Sequence, residues 1–218
     1  LLPEGLREHR DQFSGIRFYA YVPGPYHTPI PDAETAERLR EMSARLREEP
    51  PQRFPGFFDA LYGVSSAAEA DSLMVKVRFL GHTARVHPMI AEALRRAGEE
   101  IERAAETDGD VMAFVAGIDE IGGFSWREIA GTKSRSYHSY GAAVDIVPKS
   151  YGGAYSYWRW AMTAGIAEWW NLPESRRWHV PQAVIDAFER NDFVWGGKWL
   201  FFDSIHFEYR PEIFLLPD

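Results

Sequence analysis

The sequence predicts an α+β fold: a small, mostly antiparallel sheet with helices packed on one face, preceded by an N-terminal extension. Three observations predict it. Leu73–Leu80 alternates in the period of a strand, with Val75, Val77 and Phe79 on one side and Lys76 and Arg78 on the other. Residues 88–106 carry an apolar stripe at helical spacing, through Ile90, Leu94 and Ile101. From Phe124 onward, short β-like stretches and Gly turns alternate with helical patterns near 157–170 and 181–190, which suits a sheet layered against helices.

The elements follow in order. Residues 1–33 are rich in Pro, Gly and Tyr (Tyr19, Tyr21, Pro23, Gly24, Pro25, Tyr26) and read as an extended segment lying over the domain surface. Asp32 is placed to cap a helix over Ala33–Glu48, where Leu39, Met42 and Leu46 recur and the charged positions form a solvated face. Pro50 and Pro51 should stop it. A short aromatic run follows (Phe54, Phe57, Phe58, Tyr62), and then the 73–80 strand. His87-Pro88 opens the long helix, with Pro in the first turn, and Gly109 is expected to end it. A helix or strand is expected near 111–118, and Gly122-Gly123 as a turn. Pro181 suits the start of the last long helix.

Composition narrows the function classes. The chain has 218 residues, 45% hydrophobic and 26% charged, as expected of a soluble globular protein. The net charge of −8 argues against a nucleic-acid partner, which needs a basic footprint. With no cysteine, disulfides are impossible, and any metal site must use His and carboxylate ligands. No apolar run reaches the roughly 18 residues of a membrane span. The chain opens on Leu1 rather than Met, so a trimmed or mature form is expected, any signal peptide lying outside it.

Two short segments concentrate the residues able to do chemistry. The first is Ser136-Tyr137-His138-Ser139-Tyr140-Gly141-Ala142-Ala143-Val144-Asp145, and the second is Asp203-Ser204-Ile205-His206-Phe207-Glu208. Gly141 and two small residues between His138 and Asp145 let the backbone turn sharply and a second strand approach closely. His206 lies in an alternating stretch and can share a face with Glu208 but not with Phe207. Two imidazoles and one carboxylate make a three-ligand site, and catalytic zinc sites leave a fourth tetrahedral position for water. The competing reading treats both histidines as ordinary polar residues near a sheet edge. Spacing alone does not decide between them.

The first segment resembles the Ser-x-His-x-x-Gly-x-Ala-x-Asp signature of the LAS-type zinc peptidases. That group includes D-alanyl-D-alanine carboxypeptidases and dipeptidases and L-alanyl-D-glutamate endopeptidases. Ser136, His138, Gly141, Ala143 and Asp145 match all five fixed positions, and Asp203–His206 matches the second motif, an acid followed three residues later by His. Many members carry Glu where this chain has Asp203; the endopeptidase-like branch often carries Asp. Trp126–Thr132 and Phe193–Trp199 are similar to that branch as well.

The resemblance implies roles. His138, Asp145 and His206 would be the ligands of Zn2+. Asp203 would be the general base and acid, and Arg127 would stabilise the oxyanion, with Arg135 as its rival. Residues 71–218 would form the zinc peptidase catalytic domain, and residues 1–70 an extension with a helix packed on it. The substrate would be a peptidoglycan stem peptide, cut as an L-Ala–D-Glu endopeptidase or a D-Ala–D-Ala carboxypeptidase, which places the protein outside the cytoplasm, periplasmic or secreted. The alternative is a zinc-stabilised, catalytically weak cell-wall or peptide binding module. Glu208 reads either as an acceptor behind a ligand imidazole or as a surface acid. Tyr140, Tyr155, Tyr157, Trp195 and Trp199 read as core or as walls of a cleft.

Overall fold

The computed structural model describes residues 21–26, 31–49, 55–132 and 134–215. The first helix, α1, spans Ala33–Glu48, and the Asp32 carboxylate caps it by accepting from the Thr35 amide at 2.7 Å. Pro50 and Pro51, expected to stop it, lie outside the described residues, as do residues 1–20. Helices α2 (Pro55–Tyr62) and α3 (Ala67–Leu73) lead into an antiparallel hairpin, β1 (Val75–Phe79) with β2 (His82–Val86). Val77 and Phe79 are buried as the alternation requires, whereas Val75 at the start of the strand is exposed.

The long helix α4 (Pro88–Ala105) buries Ile90, Ala93, Leu94, Ala97, Gly98 and Ile101, one stripe at three- and four-residue spacing. Gly98 is where the Phe79 ring passes: a Cβ there would lie 2.9 Å from it. Gly109 does not end this helix but opens the next, α5 (Gly109–Ala116). The reason is Asp108, whose carboxylate accepts from the Asp110 and Val111 amides and so caps a new start.

The second sheet carries the candidate residues Asp145 and His206. Its strands are β3 (Ile118–Gly122), β4 (Ala143–Pro148), β5 (Phe193–Trp195) and β6 (His206–Tyr209), in the order β3-β4-β6-β5, all antiparallel. Helices α6 (Trp158–Thr163) and α7 (Gln182–Glu189) lie between β4 and β5, and α8 (Pro211–Leu215) closes the description. The helix expected over 157–170 is shorter because Gly165 turns the chain at φ +87°, and a 3-10 turn at Trp169–Asn171 follows. One large core joins α4, α7 and both sheets, with the Phe188 and Phe207 rings stacked at 3.8 Å. A second cluster, around Trp158, Trp169 and Phe202, is covered by Leu39 of α1, and Arg47 of α1 lies over the Trp169 ring. Tyr62, Val64 and Ala70 join the large core. No helix among the described residues is long and apolar enough to cross a membrane.

Candidate metal centre

Strand register brings two of the three candidate ligands together. Asp145 on β4 and His206 on β6 are direct cross-strand partners. Their side chains project to the same face, and His206 Nδ1 lies 2.8 Å from Asp145 Oδ1. Val144 and Phe207, the next pair, point to the opposite face and are fully buried in the core.

His138 reaches the same point from a 3-10 turn over Tyr137–Tyr140. The Ser136 hydroxyl caps this turn by accepting from the His138 amide at 3.3 Å. Gly141 ends it at φ +61°, a conformation natural to glycine. A Cβ on Gly141 would lie 2.3 Å from Met74 Sδ and 2.6 Å from the His87 nitrogen, so both backbone freedom and space demand Gly here. His138 Nε2 then lies 3.1 Å from Asp145 Oδ1 and 3.2 Å from His206 Nδ1.

These three distances test the fit of a metal. Zinc bonds of 2.0–2.1 Å in tetrahedral geometry place neighbouring donor atoms about 3.3 Å apart. Separations of 2.8, 3.1 and 3.2 Å are close to that edge. The remaining ring nitrogens are held in the matching tautomers. His138 Nδ1 lies 2.6 Å from the Gly123 carbonyl, which can only accept, so the proton sits there and Nε2 keeps its lone pair. His206 Nε2 lies 3.2 Å from Glu208 Oε2, which leaves Nδ1 as the donor toward the centre. Glu208 is buried and is itself bound by Arg210, 3.1 Å away.

Electrostatics agree with a site built for positive charge. Burial works to raise Asp145, but His138 and His206 hold its carboxyl well below the usual carboxylate range. Burial works to lower His206, but Asp145 and Glu208 prevail and raise it to about 10. Three lone-pair donors meeting at 3 Å repel unless a cation, proton or metal, sits among them.

Asp203 lies outside that triangle. Burial is the main cause that raises its carboxyl to about 6; His206 and Arg127 pull the other way and Asp145 adds to the rise. Its Oδ1 is buried and has no hydrogen-bond partner among the described residues. Arg127 is half-exposed, with one guanidinium nitrogen 3.8 Å from Asp145 Oδ2. Ser139 holds its backbone at both ends, accepting from the Arg127 amide at 2.9 Å and donating to its carbonyl at 2.8 Å. Arg135 is engaged elsewhere: it pairs with Asp59 of α2 at 2.8 Å and lies over the Trp126 and Tyr140 rings. Of the candidate aromatics, Tyr140 and Trp195 are core, while the Trp199 ring lies 5.5 Å from His206.

Sequence reasoning missed Gly123 and Ser139. A Cβ on Gly123 would lie 2.3 Å from the Arg85 carbonyl, so this Gly lets the β2 edge approach while its carbonyl orients His138. The Gly122-Gly123 turn expected from sequence is instead the end of β3, where Gly122 pairs with Asp145, and the doubled Gly signals a close approach but not its partner.

Fold and site together define an α+β protein with a largely buried His–Asp–His cluster beside a carboxylate, Asp203, one of whose oxygens has no hydrogen-bond partner among the described residues. Residues 130–209 match the peptidase family model described as D-alanyl-D-alanine carboxypeptidase, so over that segment the chain resembles the LAS-type zinc peptidases. The match covers a little over a third of the chain and includes His138, Asp145, Asp203 and His206; Arg127 precedes it. No curated protein and no solved structure matches the chain.

Proposed function

We propose that the protein is a zinc metallopeptidase that hydrolyses a peptide bond in peptidoglycan stem peptides. The observation that carries this reading is the convergence of His138 Nε2, Asp145 Oδ1 and His206 Nδ1 within 4.8 Å of one another. The family match supports the substrate class. His138, Asp145 and His206 would hold the ion. When bound, zinc supplies Lewis acidity, polarising a carbonyl and lowering the pKa of a water to about 7.

This chain's own residues supply the rest. The Asp203 carboxylate takes the proton from the attacking water as its oxygen bonds to the scissile carbonyl carbon. Arg127 donates to the oxygen on which negative charge develops. As the C–N bond breaks, Asp203 returns the proton to the leaving amine, so that one water is consumed and an acid and an amine are released. The unpartnered Oδ1 favours this role over the alternative of a binding module, which has no use for a buried carboxylate oxygen left without a donor beside the centre.

Within this reading, cleavage falls inside the stem, at L-Ala–D-Glu, with D-Ala–D-Ala as the competing bond. Mature peptidoglycan lies outside the cytoplasmic membrane, so this reading carries with it a periplasmic or secreted location. The test is digestion of purified peptidoglycan by the zinc-loaded protein, with a chelated control, read by mass spectrometry. New fragments that vanish with chelator support the proposal, and their new termini name the bond. A folded, zinc-loaded protein that releases nothing overturns it in favour of a binding module.

A further inference from the structure

Residues 21–26 make an unusual set of contacts with the loop that follows β5. The Lys198 ammonium has three donors and spends each on one acceptor: the Gly24 carbonyl at 2.6 Å, Glu189 Oε1 at 2.6 Å and the Val22 carbonyl at 3.1 Å. Lys198 and Glu189 are both buried, their side chains 9% and 8% exposed. Glu189 also accepts from the Gly24 amide at 2.7 Å and from the Tyr21 hydroxyl, and that hydroxyl accepts from the Trp195 amide at 3.1 Å. The Tyr26 ring packs against Trp195 edge-on, with centroids 4.8 Å apart. Two of the three partners of a buried cation thus come from the N-terminal segment. Without them the ammonium would be left under-satisfied in the interior, which proteins avoid.

The same loop carries the backbone of Asp203. The Gly196 carbonyl accepts from the amides of both Trp199, at 3.2 Å, and Asp203, at 3.0 Å. A Cβ on Gly196 would lie 2.5 Å from the Asp203 carbonyl, so the two backbones are in direct contact. The Trp195 indole donates to the Ser204 carbonyl at 2.8 Å, and Trp199 lies beside His206. A continuous line of contacts runs from Tyr21 and Gly24, through Lys198 and Gly196, to Asp203.

We propose that residues 21–26 form a strap that positions Asp203, and that Tyr21, Glu189 and Lys198 are positioning residues rather than catalytic ones. Fixing the loop fixes where the Asp203 carboxylate stands against the candidate metal centre: its Oδ1 has no partner among the described residues, and the Ile205 amide that binds the carboxylate belongs to the same chain segment. The inference rests on the reading of Asp203 as the base, and it gives the N-terminal segment a part in the reaction.

The test uses two variants of the full chain. Tyr21→Phe removes the hydroxyl alone. The double variant Glu189→Gln with Lys198→Met removes the pair together and leaves no lone buried charge, so it retains the fold. Hydrogen exchange is expected to quicken at the amides of Trp195, Trp199 and Asp203 and to stay unchanged in the β1–β2 hairpin. Turnover (kcat) on peptidoglycan fragments is expected to fall about 10–100-fold, with KM and zinc content unchanged, as for a reacting group displaced by about an ångström. Unchanged exchange in the loop would overturn the strap. Faster exchange with unaltered kcat would overturn its positioning role. An inactive parent protein would sink the peptidase reading instead, and the exchange measurement would still decide whether the strap exists.

Discussion

Asp145 and His206 stand opposite each other in the β4–β6 ladder, and their side chains meet at 2.8 Å on the face turned away from the core. Because strand side chains alternate, a slip of one residue in either strand would send one of them into the core. The packing of Val144 and Phe207 on the other face therefore sets the geometry of the candidate metal centre.

Losing an imidazole should cost the metal. His206→Ala and His138→Ala are each expected to leave the protein with well under one zinc per chain after dialysis, measured by atomic emission. Stoichiometric zinc in either variant would remove that residue from the ligand set.

Glu208 should act at one remove. It fixes the His206 tautomer from 3.2 Å away, so Glu208→Gln is expected to weaken zinc affinity about 10–100-fold while leaving stoichiometry intact at saturation. Competition with a chromophoric chelator reads this directly. An unchanged affinity would mean that Glu208 serves only Arg210.

Removal of Asp203 should separate chemistry from binding. Asp203→Ala is expected to retain one zinc and to lose about 10²–10⁴-fold in kcat. Loss of zinc and turnover together would mark Asp203 as structural or as a ligand.

The pH profile should carry an acid limb. A general base works only when ionised, and burial raises Asp203 to about 6, so kcat/KM is expected to fall as pH drops through that region. A bound cation favours the charged carboxylate, which moves the limb toward or below pH 6, never above it. Zinc content measured across the same range separates this limb from simple loss of metal by protonated histidines. A profile flat down to pH 4 with zinc retained would rule out a carboxylate base.

Gly141→Ala should destabilise the whole unit. The φ of +61° alone costs a non-Gly residue about 1–2 kcal/mol, and a Cβ there lies 2.6 Å from the His87 backbone nitrogen, so the total exceeds that. A Tm several degrees lower is expected in calorimetry, with zinc affinity reduced because the turn also presents His138. An unchanged Tm would show that the loop yields without cost.

Much of this was legible in the residues themselves. Asp32 as a cap, the stripe Ile90–Leu94–Ile101 and the alternation around His206 are local signals, and they yielded α1, α4 and β6 at or near their observed bounds. Gly109 misled because Asp108, one residue earlier, is a stronger start signal than Gly109 is a stop. Spacing alone left the histidines undecided; the resemblance to the LAS-type zinc peptidases implied His138, Asp145 and His206 as ligands, and the family match spans all three.

What the sequence by itself determined was which residue types are available for chemistry and which local shapes they favour, since propensity, capping and periodicity act over a few positions. Only the tertiary structure decided which of those residues meet. The pairing of Asp145 with His206 in the β4–β6 register, the Gly123 carbonyl behind His138 and the contact of Tyr21 with Glu189 join residues 61, 15 and 168 positions apart. Such pairings are fixed by burying two apolar faces at once, and that constraint exists only in the packed chain.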